Sequence, residues 1–544
     1  MDSNYDVIFI GSGIGTLAAA SLLTQWEKKR CLILERHWQV GGYTHVFKRK
    51  KKYVWDVGLH YVGQIAKGEQ IRTVFDTITQ GKLDWHRMPD VFDKFVYPDT
   101  TFGHRSGVEN FRADLEKLFP KEKDDIAQYF QDIQDVLIWF QRTEIGKNLP
   151  FALKWIVPFI KKDVPYALMT TEKYLAQRFD DAKLRSLVAS QWGDFGLPPS
   201  QSAFCIHAIL VNHFFNGAAY PVGSSEAIAD SILPIVEAGG GTVLTSHEVQ
   251  EIIVEKGRAT GVRVKPLRGE NQAEVVFSAP VIVSCAGAYN TYVKLLKAEE
   301  TADFKERILD FNKRNPPVSH ISLYLALKDT PKKLGLEGEN HWIYDDWDHE
   351  KTYANRLNWV SRGRPPMAYL STPSLKDPKA WGHASTGADA GTAALPESAV
   401  AHTAEIITFT PYGEYAKWKN QPWHKRDEEY KALKEKAAQQ LIQFVDERYR
   451  GFAELVDFYE VSTPITTEHM TGHDQGAIYG LACVPERFDV DASPWCQVHT
   501  PVKNLYLTGA DSTSLGIAGA MMGGVATCAH LMKPWHLPKL LKLV

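Results

Sequence analysis

Four apolar residues in a row, Val7 to Ile10, lead into a glycine-rich stretch, Gly11-Ser12-Gly13-Ile14-Gly15-Thr16. An Ala/Leu-rich segment follows from Leu17 to Gln25, and a second apolar block, Cys31 to Leu34, stops at an acid, Glu35. Short unbroken apolar runs bounded by turn residues predict buried strands, and the longer segment between them predicts a helix. Elsewhere the periodicity predicts amphipathic helices over 110–140 and 165–198 and strands over 317–325, 341–345 and 404–410. It also predicts a long charged helix from Asp427 to Glu447. Residues 382–400, rich in Ala, Gly, Ser and Thr, predict a surface loop. Near the end, Asn504 to Leu507 predicts a strand and the Gly/Ala-rich run after Ser514 a helix. There is no internal repeat.

The N-terminal blocks form a strand–turn–helix–strand unit with an acid about 20 residues after the turn, the pattern of a dinucleotide-binding βαβ. Gly11 permits the tight turn, and Gly13 lets the backbone approach a pyrophosphate. The helix N-terminus at Ile14 and Gly15 offers free N–H groups to that anion. Glu35 is placed to accept hydrogen bonds from a ribose. Thr16 stands where the pattern has its third glycine, putting a β-branched side chain where helix and strand pack closely. Gly239-Gly240-Gly241 lacks the order of a second fingerprint and reads as a turn between a helix and a strand.

The chain has 544 residues, 44% apolar and 23% charged, a globular composition long enough for two cores. A net charge of -3 argues against a nucleic-acid partner. Its six cysteines show no C-x-x-C spacing, as expected for buried thiols in a reducing compartment. The first strand begins almost at the N-terminus, so no secretory leader is expected and a cytoplasmic location is. Ser514 to Met532 carries no Asp, Glu, Lys or Arg and contains Gly519-x-x-x-Gly523. These small residues are read as packing on a cofactor and sheet, not as a membrane span.

Further motifs carry a family resemblance. The spacing of Glu35 to Gly41-Gly42 resembles the second FAD signature of the amine-oxidase and phytoene-desaturase flavoproteins. So does NLYLTGADSTSLGIAGA, Asn504 to Ala520, and so does the strand pair after Thr242 that contains Val249. Trp55 to Gly63, Ile78 to Trp85, Ser202 to Gln250 and Gly476 to Gly480 resemble the retinol saturase family, within the carotenoid isomerase and phytoene desaturase FAD-dependent oxidoreductases. The resemblance implies an α/β fold: a Rossmann-like FAD-binding domain of the amine-oxidase/phytoene-desaturase type with a discontinuous α+β substrate domain. The FAD domain is expected in pieces 1–75, 210–300 and 455–532, and the substrate domain in 76–209 and 301–454. Beside the Gly11–Thr16 turn and Glu35, it implies FAD contacts from Arg36, Gly41, Gly42, Tyr43, Thr44, Leu59, His60, Val249, Gly509, Asp511, Gly516, Ile517 and Ala518. It also implies that reduced flavin and an acid add hydride and proton to one double bond of a hydrophobic polyene, such as all-trans-retinol, with electrons from an external donor. The relatives leave open a redox-neutral cis–trans isomerisation, or a desaturation, of carotenoids or unsaturated fatty acids. Departures from the family are Thr16, Tyr43-Thr44 and the Ala/Gly-rich insertion before Val400.

Three side chains are candidates for the chemistry. His60 and Tyr61 lie in the flavin-facing motif, and an imidazole there can donate a proton near neutral pH. Tyr479 is placed to line the substrate cavity. No metal site is expected: His207 and His213 lie in an apolar helix off any common face, and the turn around Gly472 works against His469 and His473. Two segments, 149–164 and 533–544, mix Trp, Phe and Leu with Lys and Pro. That composition predicts peripheral contact with an anionic membrane surface and a route for lipid into the site.

Overall fold

A computed structural model describes residues 5–148, 155–160, 162–270, 272–297, 299–377 and 401–543. Val7–Ile10 and Cys31–Leu34 are strands with every residue buried, paired in parallel with Val7 opposite Cys31. Val7–Ile10 is the centre of a five-stranded sheet. On one side lie Cys31–Leu34 and then Thr242–Leu244; on the other lie Val281–Ser284 and then Leu505–Leu507. All four pairings are parallel, so the strand C-termini, where ligands bind such sheets, share one edge.

Two helices cover the same face of this sheet. Ile14–Glu27 follows the glycine-rich turn, and Gly516–Leu531 follows the last strand. They approach through glycine. A Cβ on Gly524 would sit 2.3 Å from the Gly15 carbonyl oxygen, and one on Gly15 would sit 2.7 Å from the Gly509 nitrogen. The close approach therefore falls at Gly15. Thr16, which takes the third-glycine position, is fully buried, with its hydroxyl beside the Cys285 thiol. The charge-free run through Gly519 and Gly523 thus belongs to helix and strand packing: a Cβ on Gly523 would meet the Gly509 carbonyl at 2.5 Å. Among the described residues no helix is long and apolar enough to cross a membrane.

The second large sheet has seven strands, in the order Val456–Ser462, His320–Leu327, Thr403–Phe409, Met367–Ser371, Asn340–Tyr344, Val91–Val96, Thr101–Arg105. It is antiparallel except where Asn340–Tyr344 runs parallel to Val91–Val96. The expected strands at 317–325, 341–345 and 404–410 are three of the seven. Val456–Ser462, expected in the 455–532 piece of the FAD domain, is instead an edge strand here. This half-buried strand finds its backbone partners along Ser322–Leu327.

The helices expected over 110–140 and 165–198 are each broken. Val108–Leu118 ends before Pro120, which has no N–H to continue it, and Lys123–Asn148 begins beyond a short turn. Thr171–Arg178 and Ala182–Val188 have separate caps: Thr170 accepts from the Lys173 N–H, and Asp181 accepts from Lys183 and Leu184. Asp427 caps Glu428–Asp446, within a residue of the expected helix at each end. The expected loop at 382–400 lies outside the described residues.

Gly524→Val forces a branched side chain against the Gly15 carbonyl. It is expected to cost about 1–3 kcal/mol through overpacking, read as a lowered thermal midpoint and a lowered flavin content of the purified protein.

Candidate active site

The glycine-rich turn is fixed from behind by Glu35. Its Oε2 accepts from both the N–H (2.9 Å) and the hydroxyl (2.7 Å) of Ser12, and its Oε1 accepts from the His37 N–H at 2.8 Å. Ser12 Oγ also accepts from the Gly41 N–H at 3.0 Å, which draws the Gly41-Gly42 turn against Gly13. That turn needs glycine. Gly41 has φ 118° and Gly42 φ 57°, and a Cβ on Gly42 would lie 3.1 Å from Gly13 Cα.

Ile14–Glu27 starts at Gly13 with no side-chain cap and no acid in its first turn. Gly516–Leu531 starts after Leu515 in the same uncapped way. Both N-termini therefore present unpaired N–H groups, and both open into one cavity of about 1290 Å³. That volume exceeds what a single small ligand requires. These donors suit the two electron-rich parts of a flavin dinucleotide, pyrophosphate and isoalloxazine.

The remaining expected cofactor residues divide clearly. Gly11, Ser12, Gly13, Ile14, Gly15, Glu35 and Arg36 line the cavity, as do Gly41, Gly42, Tyr43, Thr44 and Val249. Gly509, Asp511, Gly516, Ile517 and Ala518 line it from the C-terminal side. Thr16 and Leu59 do not reach it: Thr16 is turned toward Cys285, and the Leu59 side chain is buried in the core beneath the turn. Arg36 spans Glu248 (3.0 Å) and the His469 carbonyl (2.6 Å). Asp511 accepts from the N–H groups of Ala288 (2.8 Å) and Leu481 (3.0 Å), with the buried Arg487 guanidinium 3.5 Å away. It thus ties the end of the nucleotide sheet to the Tyr479–Leu481 segment.

Beyond the flavin limb, the cavity runs between the sheets along Trp342, Met367, Tyr369, Ile407 and Phe409. His60, Tyr61 and Tyr479 all line it. The Tyr479 hydroxyl donates to the Gly193 carbonyl at 2.9 Å. His60 Nδ1 lies 2.9 Å from Glu405 Oε2, out of hydrogen-bond alignment, and its carbonyl accepts from Lys376 Nζ at 2.7 Å. Burial, with the Lys376 charge adding to it, lowers the His60 pKa to about 3, so the ring is neutral at physiological pH and has no imidazolium proton to give. This corrects the expectation of a neutral-range donor there. His207 bonds Tyr129 (2.8 Å) and His213 accepts from the Gly63 N–H (2.9 Å).

Sequence reasoning missed the carboxyl groups here, of which Asp194 lines the cavity and Asp56, Asp93 and Glu405 are buried outside its lining. Burial raises Glu405 to about 8, Asp93 to about 8, Asp194 to about 7 and Asp56 to about 6. Burial lowers Lys376 to about 8. Its ammonium is held by Asn340 Oδ1 and Ser371 Oγ, both at 2.7 Å. The available signal was an acid among mainly apolar neighbours: Glu405 in TAEIITF, Asp194 in QWGDFG and, beside Lys94, Asp93 in VFDKFV.

Together these features define an FAD-dependent oxidoreductase with a Rossmann-type cofactor site opening into an apolar tunnel. Comparison with known proteins agrees. A family model described as "NAD(P)-binding Rossmann-like domain" matches residues 10–78, and one described as "GMC oxidoreductase" matches residues 219–298. The all-trans-retinol 13,14-reductase of Danio rerio is 30% identical over 97% of this chain and 86% of its own. The chloroplastic prolycopene isomerase of Arabidopsis thaliana is 26% identical over 88% of this chain and 74% of its own. An oxidoreductase crystal structure from Methanosarcina mazei matches in fold with TM-score 0.60 at 15% identity, over 97% of this chain and 99% of that one. The chain belongs to the all-trans-retinol 13,14-reductase family.

Glu35→Ala removes the acceptor that holds Ser12 and His37. It is expected to weaken FAD binding about 10- to 100-fold, the worth of hydrogen bonds to a charged group, measured by flavin retention on dialysis. The raised carboxyls also set a pH dependence. A carboxyl with a raised folded pKa contributes stability that is lost as pH rises through that pKa. The buried histidines, whose pKa burial lowers, act in the opposite sense until about a unit above the free imidazole value. The carboxyl contribution is therefore read by difference: in urea titrations the wild type is expected to lose stability relative to Glu405→Gln as pH rises toward about 8.

Proposed function

We propose that this protein saturates one carbon–carbon double bond of all-trans-retinol or a closely related retinoid. The supporting observation is the continuity of the cavity, which joins the flavin limb to a tunnel walled by aromatic and aliphatic side chains. A conjugated terpenoid chain fits such walls, and its hydroxyl needs only a polar end. Reduced FAD supplies the hydride. The protein's own part is to keep the chain extended past His60 and Tyr61, to exclude water, and to provide a proton. Glu35 and the Gly11–Gly15 turn hold the ribose and pyrophosphate in this reading, with the Gly516–Ala518 N–H groups directed at the ring.

The far end of the cavity supports loading from a membrane surface. Leu137, Ile138, Phe140 and Ile145 line it on one side, and Leu537, Leu540 and Leu541 on the other. The two walls meet where His530 and Asn148 hydrogen-bond at 3.0 Å. Beside them Trp155, Phe159, Trp535 and Leu541 are 66–81% exposed, and Lys533, Lys539 and Lys542 are exposed as well. Large apolar side chains interleaved with lysine suit the interface of an anionic bilayer. The described part of the 149–164 segment, 155–160, contributes Trp155 and Phe159; the rest lies outside the described residues.

A redox-neutral isomerisation stands as the second reading, favoured by the prolycopene isomerase relative and by a fold match, at TM-score 0.54, to a CLA-producing fatty acid isomerase from P. acnes. Anaerobic incubation of dithionite-reduced protein with all-trans-retinol separates the two. A product heavier by two hydrogens with a blue-shifted chromophore is expected. Unchanged mass with altered retention would replace saturation by isomerisation. Trp535→Ala combined with Phe159→Ala is expected to lower co-sedimentation with anionic vesicles, while flavin content stays that of the wild type.

A further inference from the structure

Tyr61 sits between two acids. Its hydroxyl is 2.8 Å from Asp194 Oδ2 and 3.2 Å from Asp93 Oδ2. Asp93 is fully buried, whereas Asp194 is partly exposed and lines the cavity. The other ligands of Asp93 are all donors: Gln191 Nε2 to Oδ2 at 2.7 Å and Asn340 Nδ2 to Oδ1 at 3.1 Å. Among the described residues neither acid has an ion-pair partner, Lys376 being spent on Asn340, Ser371 and the His60 carbonyl.

Counting protons fixes the state of this trio. A phenol has one hydrogen, and an ionised carboxylate has none. Both short oxygen–oxygen contacts of Tyr61 are hydrogen bonds only if one of the acids carries its own proton. Two acids around one phenol, one buried and one at the cavity wall, with no cation to offset them, also disfavour double ionisation. We propose that Asp194 is the proton donor to the double bond, and that Tyr61, held by Asp93, is the hydrogen-bond partner that positions it. This rests on the reading that the site reduces a polyene.

The balance is simple. Hydride from reduced FAD forms a C–H bond at one carbon. The Asp194 O–H bond breaks and its proton forms a C–H bond at the neighbouring carbon, leaving Asp194 ionised and FAD oxidised. The Tyr61 phenol, free to turn from Asp93, then donates to the Asp194 carboxylate, and a proton from water entering the cavity that Asp194 lines restores the Asp194 O–H. An external two-electron reductant, dithionite in the test, restores the flavin. The groups facing the pair are Tyr344, Tyr369 and Tyr479, with Lys376 beyond Asn340. The phenols stay neutral. Burial raises Asp194 to about 7 and Asp93 to about 8, so the pair holds a proton at neutral pH.

Two measurements test this. Infrared difference spectra of the holoenzyme, taken from about pH 6 to about pH 9, should show a protonated-carboxyl carbonyl stretch that titrates across that range. It should be lost or diminished in Asp194→Asn and shifted in Tyr61→Phe. Single-turnover reduction of all-trans-retinol should slow about 10²- to 10⁴-fold in Asp194→Asn, as for loss of a general acid, with flavin content and retinol binding retained. Absence of an Asp194-dependent carboxyl band overturns the proposal, whatever the substrate. So does an Asp194→Asn rate within a few-fold of the wild type. If the wild type forms no dihydroretinol while the band is present, the retinoid reading fails and the shared proton on Asp194 stands.

Discussion

Gly15 and Gly524 face each other across a gap that cannot admit a methyl group. That approach lets two helices, far apart in the chain, lie side by side on one parallel sheet and bring their uncapped N-termini to the same edge. The backbone of both is then directed into one space, and the partial positive charge of each helix end adds to the other there. A larger side chain at the crossing would separate the two dipoles and open the floor beneath the cofactor. The Ser12–Glu35–Gly41 linkage does the same for the turn above, by hydrogen bonds instead of contact distance.

The buried layer beside His60 and Tyr61 works by different physics. Asp56, Asp93, Asp194, Glu405 and Lys376 are brought together where water is scarce, and burial is the first cause of every one of their shifts. The result is a layer rich in polar atoms but poor in net charge, which meets the cavity at Asp194. Neutral carboxyls donate as well as accept, so such a layer can hold protons without imidazolium.

How much of this was legible in the sequence follows from the range of the interactions. The nucleotide half was readable because its constraints are local: a glycine where φ must be positive, an acid at fixed spacing, an apolar block for each buried strand. The seven-stranded sheet was read in part. His320–Leu327 and Thr403–Phe409 are apolar enough to stand out, whereas Val91–Val96 carries Asp93 and Lys94, and Val456–Ser462 is a half-buried edge with weak patterning. The carboxyl layer was not readable. Asp93, Asp194 and Glu405 lie far apart in sequence; sheet register aligns Asp93 and Glu405 by way of Asn340 and Ser371, and Asp194 joins them from a short helical turn. His60 drew attention because histidine titrates near neutrality in water, and burial removes that property.

The helix Gly516–Leu531 has one end at the cofactor edge and the other at the Leu537–Leu541 segment, and Met522, Val525, Ala526 and Ala529 border the cavity between them. At 1.5 Å per residue, its 16 residues make a rod about 24 Å long. A rod of fixed length is a ruler. It fixes the separation between the cofactor edge and the Leu537–Leu541 segment. If the proposed substrate enters past that segment, selection among chemically similar polyenes becomes a matter of reach.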